Sequence, residues 1–280
     1  MSDIYSAQFL IVFALGLLAT GAISGVLAGL LGVGGGIVIV PVLFLLAGFL
    51  GLPAELAMPM AVGTSLATII PTSISSARSH RKRGSVDAQL LKSWAPAVFV
   101  GALIGGVLAS VVSGAFLTVL FGVVALLVAI NLALPRTVVL AEDLPKRLAA
   151  RTAVPTAIGI FSALMGIGGG TLSVPILSAF SFPVHRAIGT AAALGIVIAV
   201  PAVFGFIWAG WDVGARPPFS LGYVSAPAAV LIFTTSVFTA PIGSQLAHSL
   251  DARVLKRVFA LFLFVTSLRM LWQAFGRGFF

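Results

Sequence analysis

The amino-acid sequence predicts an all-α polytopic membrane protein, and three observations carry that prediction. Charge is scarce, charge is clustered, and a glycine motif occurs twice in the same order. Only 8 % of the 280 residues are charged, 60 % are hydrophobic and the mean hydropathy is +1.18. A soluble domain carries about a quarter charged residues, because its exterior faces water. This exterior is built to face hydrocarbon.

The charges fall between long apolar runs. No Lys, Arg, Asp or Glu lies between Asp3 and Glu55 or between Lys92 and Arg136, and further charge-free runs cover 56–77, 152–185, 187–211 and 217–250. A membrane-spanning helix needs about 20 apolar residues, so most of these runs hold one or two spans. The net charge of +9 does not point to nucleic acid. Its Lys and Arg sit in short connections between apolar runs, which is a topology signal. With no cysteine, disulfides and thiolate metal sites are excluded. The start of the chain has no basic segment and small-residue cleavage site, so the apolar stretch from Phe9 reads as a retained first span.

The duplication is legible in order and spacing. Gly32-Val-Gly-Gly-Gly-Ile-Val-Ile-Val-Pro41 recurs as Gly166-Ile-Gly-Gly-Gly-Thr-Leu-Ser-Val-Pro175. Ala61-Val-Gly-Thr-Ser65 then recurs as Ala187-Ile-Gly-Thr-Ala191. Weaker echoes match Gly84-Ser-Val-Asp87 with Gly210-Trp-Asp212, and Gly105 with Gly243. Two repeats follow, 1–140 and 141–280, joined through the polar, proline-bearing connector 135–151.

In the first repeat the expected segments are 9–31, 37–50, 56–77, 93–112 and 116–134. In the second they are 152–165, 171–181, 186–208, 222–247 and 258–276. Two full spans and a turn need more than about 40 residues, and the run 152–185 is shorter. Each repeat therefore has a Gly-rich broken or re-entrant helix pair plus three spans. Irregular backbone at membrane depth is tolerated only inside protein or beside a watered cavity.

Orientation rests on the basic connections. The loop 78–92 holds Arg78, Arg81, Lys82, Arg83 and Lys92, while its counterpart 209–219 holds one Arg216 beside Asp212. By the positive-inside rule the first is cytoplasmic and the second is not. The repeats are then inverted in topology and the N-terminus lies outside.

The glycine turns carry the chemistry. First-turn amides of a helix lack internal partners, and the macrodipole adds partial positive charge there. Two such ends near mid-membrane make an anion site without any basic side chain. The substrate-binding candidates are Gly34, Gly35, Gly36, Thr64, Ser65, Gly168, Gly169, Gly170 and Thr190. The hydroxyls of Thr64, Ser65 and Thr190 can donate to an oxyanion, or back-bond to their own helix. Close helix packing is the competing role for the glycines. Arg269 in the last span reads as snorkelling to the interface, His185-Arg186 as a cytoplasmic boundary, and His80 as a solvated loop residue. Glu55, Asp87 and Asp212 fall at loop edges.

No catalytic or metal-binding constellation occurs: there is no His/Asp/Glu cluster with metal spacing, no Gly-X-Ser-X-Gly elbow, and no Gly-Lys-Ser/Thr ending to Gly32–Gly36. Neither an enzyme nor an ATP-driven pump is expected, and no cofactor. The partners implied are a small anionic substrate and the lipid bilayer, with a homo-oligomer as an option and no nucleic acid.

These motifs resemble the sulfite exporter TauE/SafE family of bacterial membrane permeases. The resemblance lies in Leu-Leu-Gly-Val-Gly-Gly-Gly and Leu-Met-Gly-Ile-Gly-Gly-Gly, each running to Val-Pro and followed by Gly-Thr. The segments Arg-Ser-His-Arg-Lys-Arg-Gly-Ser-Val-Asp and Ala-Pro-Ile-Gly-Ser-Gln-Leu-Ala-His extend it over roughly 10–275. It implies export of sulfite, sulfoacetate or another sulfur-containing anion across the bacterial cytoplasmic (inner) membrane by a multi-pass secondary transporter. The alternatives are a cation-coupled or other small organic anion permease, and a non-transport membrane subunit. Ala191 stands where the first repeat has Ser65, so any paired site is asymmetric there.

Overall fold

Asp87 and Ser113 show how local chemistry sets the helix boundaries. Asp87 Oδ1 accepts from the Leu90 amide at 2.9 Å and Ser113 Oγ from the Phe116 amide at 3.1 Å. Each satisfies an orphan donor at a helix start. Glu55 Oε2 accepts from the Gly114 amide at 3.1 Å, placing a carboxylate at the positive end of the same helix that Ser113 caps.

The computed structural model describes residues 7–134, 148–214, 216–249 and 252–276. Five helices precede the connector: α1 (Ala7–Leu31), α2 (Gly36–Phe49), α3 (Ala54–Lys82), α4 (Ala88–Leu108) and α5 (Gly114–Ala133). Five follow: α6 (Leu148–Met165), α7 (Gly170–Ala179), α8 (Val184–Ala209), α9 (Ala226–Ser249) and α10 (Ala252–Gly276). Most of the connector, 135–147, lies outside the described residues. A two-stranded antiparallel hairpin, β1 (Ser220–Leu221) and β2 (Val224–Ser225), joins α8 to α9.

Among the described residues six helices are long and apolar enough to cross a bilayer: α1, α3, α4, α5, α8 and α9. Helices α2 and α7 are short and follow directly on α1 and α6. Helix α3 lies at the centre, with 78 % of its apolar window buried, against 33 % for α1 and for α9. The outer surface is apolar: Trp208 is 83 % exposed, Trp272 78 % and Phe238 74 %. Water would penalise such a surface heavily. Lipid does not.

The helices pack through small residues. Helix α1 lies on α9, α4 on α6, α5 on α10, and α3 on α8. On α1, Gly21, Gly25 and Gly29 recur every fourth residue against α9, which lets two backbones approach closely in lipid. A Cβ on Gly25 would stand 2.5 Å from the Ser236 carbonyl oxygen. Gly159 of α6 makes the matching approach to Val98 of α4.

Such pairs recur across the molecule. Gly243 approaches Val26, and Gly105 approaches Ile160. Gly32 approaches Ile188, and Gly166 approaches Val62. Gly63 approaches Tyr223, and Gly189 approaches Ser85. In each case, exchanging α1–α5 for α6–α10 turns one contact into the other. Helices α3 and α8 run antiparallel, because Gly63 meets Phe206 while Ser73, further along α3, meets Gly195, earlier in α8.

Three sequence expectations are corrected here. Arg78, Arg81 and Lys82 belong to the last turns of α3 instead of a loop, and His80 is not solvated. It is 1 % exposed, with Nε2 2.7 Å from the Gly29 carbonyl oxygen. The stretch that corresponds to Gly84–Asp87 is Gly222–Ser225, not Gly210–Asp212. Tyr223 takes the place of Ser85, and Ser225 that of Asp87.

Candidate functional site

The glycine turns are where α1 passes into α2 and α6 into α7. The first turn needs left-handed backbone: Gly34 has φ 71° and Gly35 φ 78°, a region open to glycine at no steric cost. The second has a positive φ at Gly166, 65°, but enters α7 with Gly169 at φ −57°. The two turns share a sequence and differ in conformation.

They meet face to face. A Cβ on Gly34 would stand 2.9 Å from Gly168 Cα, and the Gly168 amide donates to the Val33 carbonyl at 3.1 Å. Gly34, Gly35, Gly36, Gly168, Gly169 and Gly170 are all buried. The first turns of α2 and α7 therefore start from one shared centre, where helix ends leave amides short of intrahelical partners, although the Val38 amide donates to the Gly35 carbonyl at 3.0 Å.

The three candidate hydroxyls surround these turns. Ser65 Oγ donates to the Gly166 carbonyl at 2.7 Å, tying α3 to the second turn. Thr64 Oγ1 accepts from the Ser225 amide at 2.9 Å, and Thr190 Oγ1 accepts from the Asp87 amide at 2.9 Å. Thr64 sits well inside α3, not near its start. All three residues are buried. As acceptors, Thr64 and Thr190 keep their own hydroxyl protons for a further bond.

Asp87 joins this frame to charge. Its Oδ2 pairs with Arg186 Nη2 at 2.6 Å, and the Arg186 guanidinium stands 5.7 Å from the Phe182 ring centroid. His185 and Arg186 are both exposed at the start of α8. Arg269 is exposed on α10. In the hairpin, burial raises the Tyr223 phenol above its usual value and Arg216 partly opposes this, so the phenol stays neutral at ordinary pH.

A basic cavity of about 770 Å³ opens between the second half of α3 and α9. Arg78, Lys82 and Arg83 line it with Ser75, Ser79 and Gln245, and no carboxylate is among the lining residues. Arg83 is anchored, Nη1 donating to Ser79 Oγ at 2.6 Å and Ser244 Oγ at 3.2 Å. Pro71, Ile74 and Ser75 of its lining are sequence neighbours of Ser73 on α3. The individual basic residues were visible in the sequence; their convergence with α9 was not. Among the described residues no group of His, Cys, Asp or Glu could hold a metal ion.

Residues 17–270 match the family described as sulfite exporter TauE/SafE. The chain belongs to that family. A probable membrane transporter protein of Haemophilus influenzae is 36 % identical over 260 residues, covering 92 % of this chain and 98 % of the relative. One of Methanocaldococcus jannaschii is 26 % identical, covering 94 % and 97 %. One of Bacillus subtilis is 31 % identical, covering 62 % and 71 %. No solved structure matches the chain. The TauE/SafE match, the transporter relatives and the apolar helices together make this a multi-pass membrane transporter.

Proposed function

We propose that this TauE/SafE protein is a secondary transporter exporting a small sulfur-containing anion, sulfite or an organosulfonate such as sulfoacetate. It would act in the bacterial cytoplasmic membrane by alternating access between two inverted repeats, 1–140 and 141–280. The observation that carries the reading is the meeting of Gly34 with Gly168, which brings the starts of α2 and α7 to one buried centre. Two positive helix ends there favour an anion and disfavour a cation. Gly34, Gly35, Gly36, Gly168, Gly169 and Gly170 supply amides, and Thr64, Ser65 and Thr190 supply hydroxyls to the frame.

Inversion is supported by the reciprocal contacts and by the antiparallel run of α3 and α8. A two-fold exchange of two antiparallel helices has its axis across them, in the plane of the membrane. The basic cavity of Arg78, Lys82 and Arg83 gives anions a cytoplasmic entrance, on the side the positive-inside rule assigns to those residues. A dianion leaving a negative cytoplasm gains about 2.3 kcal/mol per charge per 100 mV. Export then needs little further coupling.

Flux from proteoliposomes loaded with sulfite, sulfoacetate, acetate or sodium ion decides the matter. Sulfite or sulfoacetate efflux, accelerated by an outside-positive potential, is expected. Efflux of none of the anions would overturn the reading; efflux of acetate alone would move it to carboxylates.

A further inference from the structure

Ser73, Thr171 and Ser173 are hydroxyl residues 0 %, 1 % and 0 % exposed, and none of the three hydroxyls has a hydrogen-bond partner. Buried polar groups are nearly always paired, so three unpaired ones in neighbouring elements call for an explanation. Two of them stand in the first turn of α7, directly after Gly170. The third faces that turn from α3. A Cβ on Gly195 would stand 2.5 Å from Ser73 Oγ and 3.8 Å from the Gly169 amide nitrogen. The bare Gly195 backbone thus lets a free hydroxyl approach the positive end of a helix.

The other repeat has nothing of the kind. By the doubled motifs, Thr171 and Ser173 correspond to Ile37 and Ile39, Gly195 to Ile69, and Ser73 to Ala199. All four counterparts are fully buried apolar residues. Ile69 fills the place that Gly195 leaves open, its Cγ2 lying 3.4 Å from a Cβ built on Gly34. The backbone differs too, with Gly169 right-handed where Gly35 is left-handed. One turn is lined with apolar side chains, and the other with hydroxyls.

We propose that the second turn alone binds the anion, with the first-turn amides of α7, the Ser73 hydroxyl and one of the Thr171 and Ser173 hydroxyls, which project to different sides of α7, donating to one oxyanion. The first turn, with Ile37, Ile39 and Ile69, is a packing surface against which the site closes. The ligand class is a compact oxyanion with several acceptor oxygens, a sulfite or sulfonate group, because every group offered can donate and the α7 start is positive. The same hydroxyl oxygens could also coordinate Na⁺, but the α7 start repels a cation. This inference rests on the anion-transport reading above and sharpens it to one glycine turn.

The test is anion binding to the full chain in nanodiscs, titrating potassium sulfite and potassium methanesulfonate into wild type, Ser73→Ala, Thr171→Val, Ser173→Ala and Gly195→Ala. A lost hydrogen bond to a charged group raises Kd about tenfold or more, so Ser73→Ala and one of the two α7 variants are expected to weaken binding by that factor. Gly195→Ala keeps every hydroxyl but sets a methyl against Ser73 Oγ and displaces it, and is expected to weaken binding most. A merely structural role predicts the opposite pattern in thermal stability. Removing an unpaired buried hydroxyl is neutral or stabilising, so Ser73→Ala should hold or raise the anion-free Tm while losing affinity. Wild-type affinity in the hydroxyl variants would overturn the one-sided site while leaving anion transport standing. No anion binding by wild type would remove both. Loss of a sodium effect with unchanged anion affinity would assign the hydroxyls to a cation instead.

Discussion

Thr190 Oγ1 accepts a hydrogen bond from the Asp87 amide, 103 residues away in the chain, at 2.9 Å. Its counterpart Thr64 does the same for the Ser225 amide at the same distance. In both halves of the chain, then, the threonine of a Gly-Thr pair bonds the link that follows the third helix of the other half. Replacing Thr190 by Val removes the acceptor and leaves an amide unpaired, at a cost of about 1–3 kcal/mol. Thr190→Ser keeps the acceptor and should stay near wild type. Thermal unfolding in detergent distinguishes them, and equal midpoints for the Val and Ser variants would refute this bond's role.

Asp87 serves two partners, and they are unequal. Its Oδ1 caps α4 through the Leu90 amide, while its Oδ2 pairs with Arg186, whose side chain is 52 % exposed. Loss of an N-cap costs about 1 kcal/mol, whereas an exposed ion pair contributes about 0–1 kcal/mol. Asp87→Ala is expected to destabilise more than Arg186→Ala. A double-mutant cycle should give a coupling below about 1 kcal/mol that shrinks further in high salt. A larger, salt-independent coupling would show the pair to be a buried lock.

Much of this architecture was legible in the sequence. The glycine motifs gave the short segments, since α2 at Gly36–Phe49 and α7 at Gly170–Ala179 fall within two residues of the expected 37–50 and 171–181. That works because a glycine run admits the positive φ at which a helix breaks, while charge, costly in hydrocarbon, marks the ends of the longer spans. His80 was misread because its basic neighbours suggest water; the Gly29 carbonyl that receives it comes from α1, a partner no local pattern reveals. The Gly84–Asp87 echo was misplaced for a related reason. Gly222-Tyr-Val-Ser225 shares the Gly and Val spacing, but the acidic Asp212 drew the match towards Gly210. What matters at Asp87 and Ser225 is a backbone amide, which carries no side-chain signature. The unpaired state of Ser73, Thr171 and Ser173 was invisible for the same reason: pairing is a property of neighbours in space.

Glycine substitutions on α1 separate lipid-facing from packed positions. Gly16 has nothing within 4 Å of a built Cβ, whereas Gly25 would meet the Ser236 carbonyl oxygen at 2.5 Å. Gly16→Ala should therefore raise stability, by about 0.5–1 kcal/mol from helix propensity. Gly25→Ala forces α1 away from α9 and should lower the yield of folded protein sharply. Expression with size-exclusion profiling reads both. Equal tolerance at the two positions would contradict the α1–α9 interface.

Arg78 and Lys82 line the basic cavity without a hydrogen-bond or ion-pair partner among the described residues, while Arg83 is tied to Ser79 and Ser244. Removing an untethered cation costs little structure, so Arg78→Gln and Lys82→Gln should fold normally. Their field still concentrates anions at the cavity mouth, and such steering weakens steeply as ionic strength rises. The expected outcome is a higher half-saturation concentration for sulfite efflux at low salt, with the maximal rate unchanged. At about 0.5 M inert salt the Debye length falls well below 10 Å, and the variants should converge on wild type. Arg83→Gln should differ by losing its anchor as well, with a lower Tm that salt does not restore. Should Arg78→Gln and Lys82→Gln alter the maximal rate at every salt concentration, these side chains contact the anion during translocation and the cavity is part of the path rather than its entrance.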